Sequence, residues 1–281
     1  MIALLSPAKS LKAYEDASIA SELTIPSSDA KKRGELVEKV RKKSASQLKG
    51  IMSISDSLAG GVVSMYKSMG NDERAACSAL YDGPAYRGLD AGSLSKNEMD
   101  HLSTHLRIVS ALYGLLRPTD AIQKYRLCFD HKEFECYKHW GSSLADQIMQ
   151  EFVNQEGGDE GKGKVGTSPR RIILNVASEE YSKAILPHLE REGSVEVIRF
   201  SFQTGGKAPS VYSKAARGLF SRWIGLQGIA SAVDLDKVKA FNLEGYRFNK
   251  TQSKDDHYVF SRASAPAKAP AKKVAGSKRK A

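Results

Sequence analysis

Cysteine is scarce in this chain: Cys77, Cys128 and Cys136 are the only three in 281 residues. Being odd in number and widely set, they do not suggest a disulfide framework, and a reducing compartment, the cytoplasm, suits them. No apolar run approaches the length that crosses a bilayer, so no membrane association is expected. Met1-Ile-Ala-Leu-Leu5 is a short strand that starts almost at once, with no signal-peptide pattern before it. Gly161-Lys162-Gly163-Lys164 lacks the spacing and the closing hydroxyl of a phosphate-binding P-loop. No Ser/His/Asp set and no pair of carboxylates stands out, so no catalytic residue is assigned.

What the chain has instead is positive charge, a net +11 with a pI near 9.4. Six of those charges, from Lys268 to Lys280, follow Ala263 with no acid among them. The division expected is a mildly basic folded domain, 1–262, and an Ala/Pro/Lys-rich tail, 263–281, that cannot bury a core and reads as disordered. Lys272-Lys273 and Lys278-Arg279-Lys280 have the look of a nuclear-localisation signal or a nucleic-acid-binding arm, so a nucleus is the second location considered. Apolar residues at 41% suffice for a core in the domain.

Along the domain, Ser6-Pro-Ala-Lys9 follows the first strand, where a hydroxyl and an ammonium suit an anion, although a plain solvated turn would read the same way. Residues 29–43 are predicted as an exposed charged helix, 46–53 and 55–67 as two more, the last capped by Ser55. Residues 75–81 are a candidate strand before the Asp82-Gly83-Pro84 turn. Ser95 and Glu98 have capping-box spacing, and Met99, Leu102, Leu106, Val109 and Tyr113 recur on one helical face. Gly114 suits a helix stop and Pro118 a new start, which predicts a helix–hairpin–helix over 105–127 with its turn at 113–117. Such an element can grip a nucleic-acid backbone, or simply pack in the core.

Further on, a helix to Phe152, a surface insertion at 157–169, strands at 172–176 and 195–202, and a Ser178-capped helix ended by Pro187 suggest a crossover unit. In the helix over 214–223, Lys214, Arg217 and Ser221 face away from Tyr212, Ala216, Leu219, Phe220 and Trp223, with Gly218 allowing a close backbone approach. Tyr246/Phe248 and Tyr258/Phe260 predict a strand hairpin that closes the domain. Cys128, His131, Cys136 and His139 have zinc-like chemistry but an unusual order, interleaved with aromatic residues, so neither metal nor cofactor is expected. The fold class is therefore mixed α/β (α+β), one domain with a central mixed sheet surrounded by helices.

Several motifs occur together and in order: Ser6-Pro-Ala-Lys9, Ile54-Ser-Asp56 with Leu58-Ala-Gly60, His105-Leu-Arg107, Leu112-Tyr-Gly114, Leu116-Arg-Pro118 with Asp120, Tyr125-Arg-Leu127, Trp140-Gly141, Asn175-x-Ala-Ser178 with Glu180-Tyr181, Lys214-x-Ala-Arg-Gly218 and Gly245-Tyr246. With them, 1–262 resembles the YaaA family of peroxide-stress proteins. The resemblance implies a single-domain α/β fold with a helix–hairpin–helix and a basic cleft, and binding of duplex or bubble DNA with little sequence preference. It further implies a role in limiting free iron during hydrogen peroxide stress. Carried over by position, the DNA-binding candidates are Lys9, Arg107, Tyr113, Gly114, Arg117, Lys124, Arg126, Lys214, Arg217 and Arg222. After Leu127 the family continues Glu-Met-Gly, whereas Cys128-Phe-Asp130 stands here and Lys124 replaces the usual proline, leaving Asp130 as the nearest carboxylate. The expected state is a monomer. The alternative is an enzyme acting on a small phosphate- or carboxylate-bearing substrate in the same cleft.

Overall fold

The computed structural model describes residues 1–26, 29–70, 73–156 and 170–263, so the insertion at 157–169 and the tail from 264 onward lie outside the described residues. Seven strands form the main sheet: β1 (Ile2–Leu5), β2 (Leu106–Ser110), β3 (Gly114–Leu116), β4 (Ile172–Asn175), β5 (Glu196–Thr204), β6 (Arg247–Phe248) and β7 (His257–Arg262). Their order across the sheet is β6-β7-β5-β4-β1-β2-β3. The five inner strands run parallel, and β3 and β6 close the two edges antiparallel. β1 and, up to Asn175 at its end, β4 are fully buried apolar runs, as expected of inner parallel strands covered on both faces.

Around the sheet lie α1 (Ala30–Arg41), α2 (Ala45–Met52), α3 (Asp56–Ser68), α4 (Pro84–Leu89), α5 (Lys96–His105), α6 (Ser143–Glu156), α7 (Glu179–Ser182), α8 (Leu186–Glu192) and α9 (Ser210–Gln227). Their starts follow local chemistry. Asp29 accepts the Lys31 and Lys32 amides, and Ser44 with Gln47 and Ser95 with Glu98 form reciprocal capping boxes. Pro187 falls in the first turn of α8 rather than ending α7. Among the described residues no helix is long and apolar enough to cross a membrane.

The helix–hairpin–helix over 105–127 is not what forms. α5 stops at His105, Leu106 donates its amide back to Leu102, and the chain passes directly into β2. Of the apolar positions that predicted a helix through Tyr113, Met99 and Leu102 do lie on α5, but Leu106 and Val109 fall in a strand buried on both faces and Tyr113 in the turn before β3. Gly114 is left-handed, φ +72°, but it opens β3 instead of ending a helix. Thr119 and Asp120 then turn the chain, Asp120 Oδ2 accepting the Arg117 amide at 2.8 Å. Ala121–Ile122 pairs with Ala75–Ala76, so no second helix follows. The predicted 75–81 strand is likewise split, with a helical turn at Cys77–Leu80.

One helix pair is unusually close. On α9, a Cβ at Gly218 would overlap the Ala85 carbonyl of α4, and on α4, a Cβ at Gly88 would overlap the Ala215 carbonyl. The two backbones are in contact at both points, which only glycine permits. The approach anticipated at Gly218 is therefore made by a neighbouring helix of the same chain. An aromatic cluster of Phe200 and Phe202 from β5, Phe260 from β7 and Phe220 from α9 anchors the same stretch of that helix to the sheet.

Gly218→Ala is expected to lower unfolding free energy by about 3 kcal/mol, read from the urea midpoint, because backbone must move. Gly34→Ala in α1, where nothing lies within 4 Å of the added carbon, is expected to raise it by about 1 kcal/mol.

Candidate functional site

From β1 the chain proceeds to β2 and β3 on one side, then returns to β4 and β5 on the other. β1 and β4 are thus the neighbours at which the winding reverses, and the crevice past their carboxyl ends is where open α/β sheets bind ligands. Ser6 follows β1 and Ser178 follows β4. The Ser178 amide donates to Ser6 Oγ at 2.8 Å, and the two hydroxyls lie 3.1 Å apart. Ser178 therefore does not cap α7 through its side chain, as its position before Glu179 had suggested; the hydroxyl is turned to the other strand end. Tyr86 of α4 donates its hydroxyl to the Ser6 carbonyl at 3.0 Å, tying a third segment to the same point.

Around this knot lies a pocket of about 380 Å³, walled by residues 5–10 and 82–86 with Ser178, Glu180, Tyr181, Lys214 and Arg217. Lys9 comes from the β1 turn and Lys214 and Arg217 from successive turns of α9. Among the described residues, none of these three side chains forms an ion pair or a hydrogen bond. Arg217 is half-buried, and burial alone, with no carboxylate to offset it, lowers its pKa. Asp82, also on the wall, is already paired with Arg87 at 3.0 Å.

Glu180 is the other unusual group. Its Oε1 is buried without a hydrogen-bond partner among the described residues. Burial raises its pKa, the charge of Asp130 adds to this, and Lys9 opposes it. Asp130 belongs to the neighbourhood through Tyr137, whose hydroxyl lies 3.2 Å from Asp130 Oδ1 and 2.8 Å from the Glu180 carbonyl. A small adjoining recess is lined by Lys9, Arg126, Cys128 and Tyr181, and Arg126 donates to the Lys9 carbonyl at 3.3 Å. Unpaired cations thus stand beside a carboxyl whose pKa burial raises, an arrangement that favours an anion electrostatically.

Of the residues singled out from sequence, the structure brings Lys9, Arg126, Lys214 and Arg217 together and removes the others. Arg107 is 2% exposed, its Nε held by Glu151 of α6 at 2.9 Å and its Nη1 by the Ser103 and Leu106 carbonyls. It forms a buried ion pair. Tyr113 is buried, its hydroxyl on the Gln123 backbone and its ring under Arg33. Gly114 is buried against Trp140 and Leu144. Arg117 is exposed but follows the antiparallel β3, which carries it to the end of the sheet opposite the pocket. Lys124 lies over the Tyr14 ring at 4.5 Å, and Arg222 is engaged by the Leu89 and Asp90 carbonyls. Sequence reasoning missed Tyr86, Glu180 and Tyr181 as pocket walls; the signals were position near a strand end or turn and, for Glu180-Tyr181, a place in one of the family motifs.

The four soft ligands do not assemble. Cys128 donates its amide to His131 Nδ1 at 3.2 Å, while His139 Nε2 lies 2.9 Å from the Lys32 carbonyl. Among the described residues no group of three or more His, Cys, Asp and Glu side chains is arranged to hold a metal ion.

A family model described as peroxide stress protein YaaA matches residues 1–252. A UPF0246 protein of Burkholderia thailandensis is 34% identical over 272 residues, spanning 93% of this chain and 98% of that protein. UPF0246 proteins of Burkholderia mallei and Burkholderia pseudomallei are 35% identical over 273 residues with the same coverage.

Two outcomes follow from this chemistry. Arg107→Ala strands the Glu151 carboxylate and is expected to cost about 3 kcal/mol of stability by denaturant unfolding, while the folded fraction keeps its anion affinity. His131 is pushed down to about 4 by burial, with Lys9 and Arg126 adding. The unfolded chain then binds the proton first, so stability contributed by this group is present above about 6.5 and lost as pH falls toward 4. His131→Gln is expected to flatten the unfolding midpoint against pH in that window.

Proposed function

We propose that the chain, which belongs to the peroxide stress protein YaaA family, serves the peroxide-stress response by binding the backbone of DNA. The cations at the crevice past β1 and β4 do the binding, without strong sequence preference. The observation that carries this reading is the convergence of Lys9, Lys214 and Arg217, from two separate segments, with no carboxylate partner among the described residues. Arg126 extends the same positive surface on the β1 side. Unpaired cations on a basic body are what phosphate contact requires, and such contacts position a duplex without reading its bases. Among the described residues, none in this crevice accounts for the iron-limiting effect that the resemblance implies.

A second reading has its own support. The pocket is concave and holds Glu180 beside the cations, which suits a small phosphate- or carboxylate-bearing substrate and hence an enzyme.

A salt-series mobility shift on duplex and bubble DNA tests the first reading. Wild type is expected to lose affinity steeply with salt, and the Lys9→Gln/Lys214→Gln/Arg217→Gln triple variant to show a slope flatter by about 2 to 3. Arg117→Gln, at the other end of the sheet, should leave the slope unchanged. A triple variant that binds as wild type does, or a chain ending at residue 262 that does not bind at all, removes the crevice from the account.

A further inference from the structure

We infer that the pocket between Ser6 and Arg217 is shaped for a phosphomonoester, the terminal phosphate of a nucleotide or of a DNA strand, rather than for the bridging phosphodiester of an uninterrupted duplex. The inference rests on the anion-binding reading of the crevice and narrows its ligand.

Shape is the first argument. The pocket is walled by four separate segments, at Ser6, Tyr86, Glu180 and Arg217, and its volume of about 380 Å³ is that of a small-ligand site. A walled recess admits a chain end, whereas a continuous backbone would have to enter and leave it. Basic surface for an uninterrupted backbone remains available outside, on the Arg126 side.

Charge is the second. A bridging phosphodiester carries one negative charge, but a phosphomonoester carries about 1.5 to 2 at neutral pH and three free oxygens. Three cations without ion-pair partners, one of them half-buried, far exceed what a single bridging phosphate balances and come closer to balance with the dianion. Asp82 does not reduce the surplus, because Arg87 already neutralises it.

The third argument is Glu180. A carboxylate on the wall of an anion site would repel the ligand. That repulsion is weakened here, because the Glu180 carboxyl is drawn out of water, its Oε1 buried with no hydrogen-bond partner among the described residues. Burial and the neighbouring Asp130 both favour the protonated form. The Ser6 and Ser178 hydroxyls, which share one hydrogen bond between them, supply a further donor at the same wall.

The experiment compares, on the full chain, adenosine monophosphate with adenosine by calorimetry, and short duplexes ending in phosphate or in hydroxyl with a closed dumbbell by anisotropy. The phosphomonoester is expected to bind about tenfold more tightly than its hydroxyl counterpart in at least one pair. Lys9→Gln and Lys214→Gln, both exposed and safe for folding, should abolish the difference. Glu180→Gln, which removes the charge and keeps the shape of the wall, should retain it. Preference in the mononucleotide pair alone assigns a free nucleotide as the source, and preference in the duplex pair alone assigns strand ends. No preference in either pair overturns the inference, even when dumbbell DNA binds and the broader DNA reading survives. Mononucleotide binding without any DNA binding has the reverse meaning: the DNA reading falls and the pocket assignment stands.

Discussion

The contact between α4 and α9 decides where everything at the crevice lies. Gly88 and Gly218 let the two backbones touch, and no side chain intervenes. One residue before Gly218 is Arg217, and the Ala85 carbonyl that Gly218 meets is one residue before Tyr86. Closing the helices therefore sets the guanidinium and the tyrosine on facing walls of one pocket, and Tyr86 in turn holds the Ser6 carbonyl at the end of β1. A methyl group at either glycine would wedge these walls apart.

The sheet supplies the second half of the construction. Parallel strands all present carboxyl ends at one edge, but only where the winding reverses do the connecting segments diverge and leave room. Here that place is between β1 and β4, and the Ser6–Ser178 hydrogen bond joins the two chains just beyond the last ladder bond. The functional side chains are consequently spread over sequence positions 6 to 217 yet arise from one topological feature.

Legibility in the sequence tracked how local the determining physics was. Caps and strand hairpins depend on a few neighbouring residues, so Ser55, the Ser95–Glu98 box and the β6–β7 pair were readable directly. Lys9 and the α9 stripe were readable too, because a strand end and a helix face are local patterns. The run from His105 to Leu127 failed because an inner strand buried on both faces satisfies a helical period as well as its own. Only the register of Leu106–Ile108 against β1, a contact across a hundred residues, chooses between them. Glu180 was legible as part of a family motif, but its place in the pocket wall was not, since its burial is made by distant segments.

Arg107 and Arg217 show how an anion site can be told from a structural cation in this fold. Both guanidiniums are withdrawn from water, and burial lowers the pKa of each. Arg107 is answered at once by Glu151 and two carbonyls, so its charge is spent within the protein and its removal would leave a stranded acid. Arg217 has no such answer among the described residues. Withdrawing a charge from water without a partner is unfavourable unless something outside the chain completes it. Two more unpaired cations share its pocket, and an anion is the partner that would complete all three. That distinction, and not the presence of arginine in a basic motif, is what moves the site from the β2–β3 hairpin to the crevice past β1 and β4.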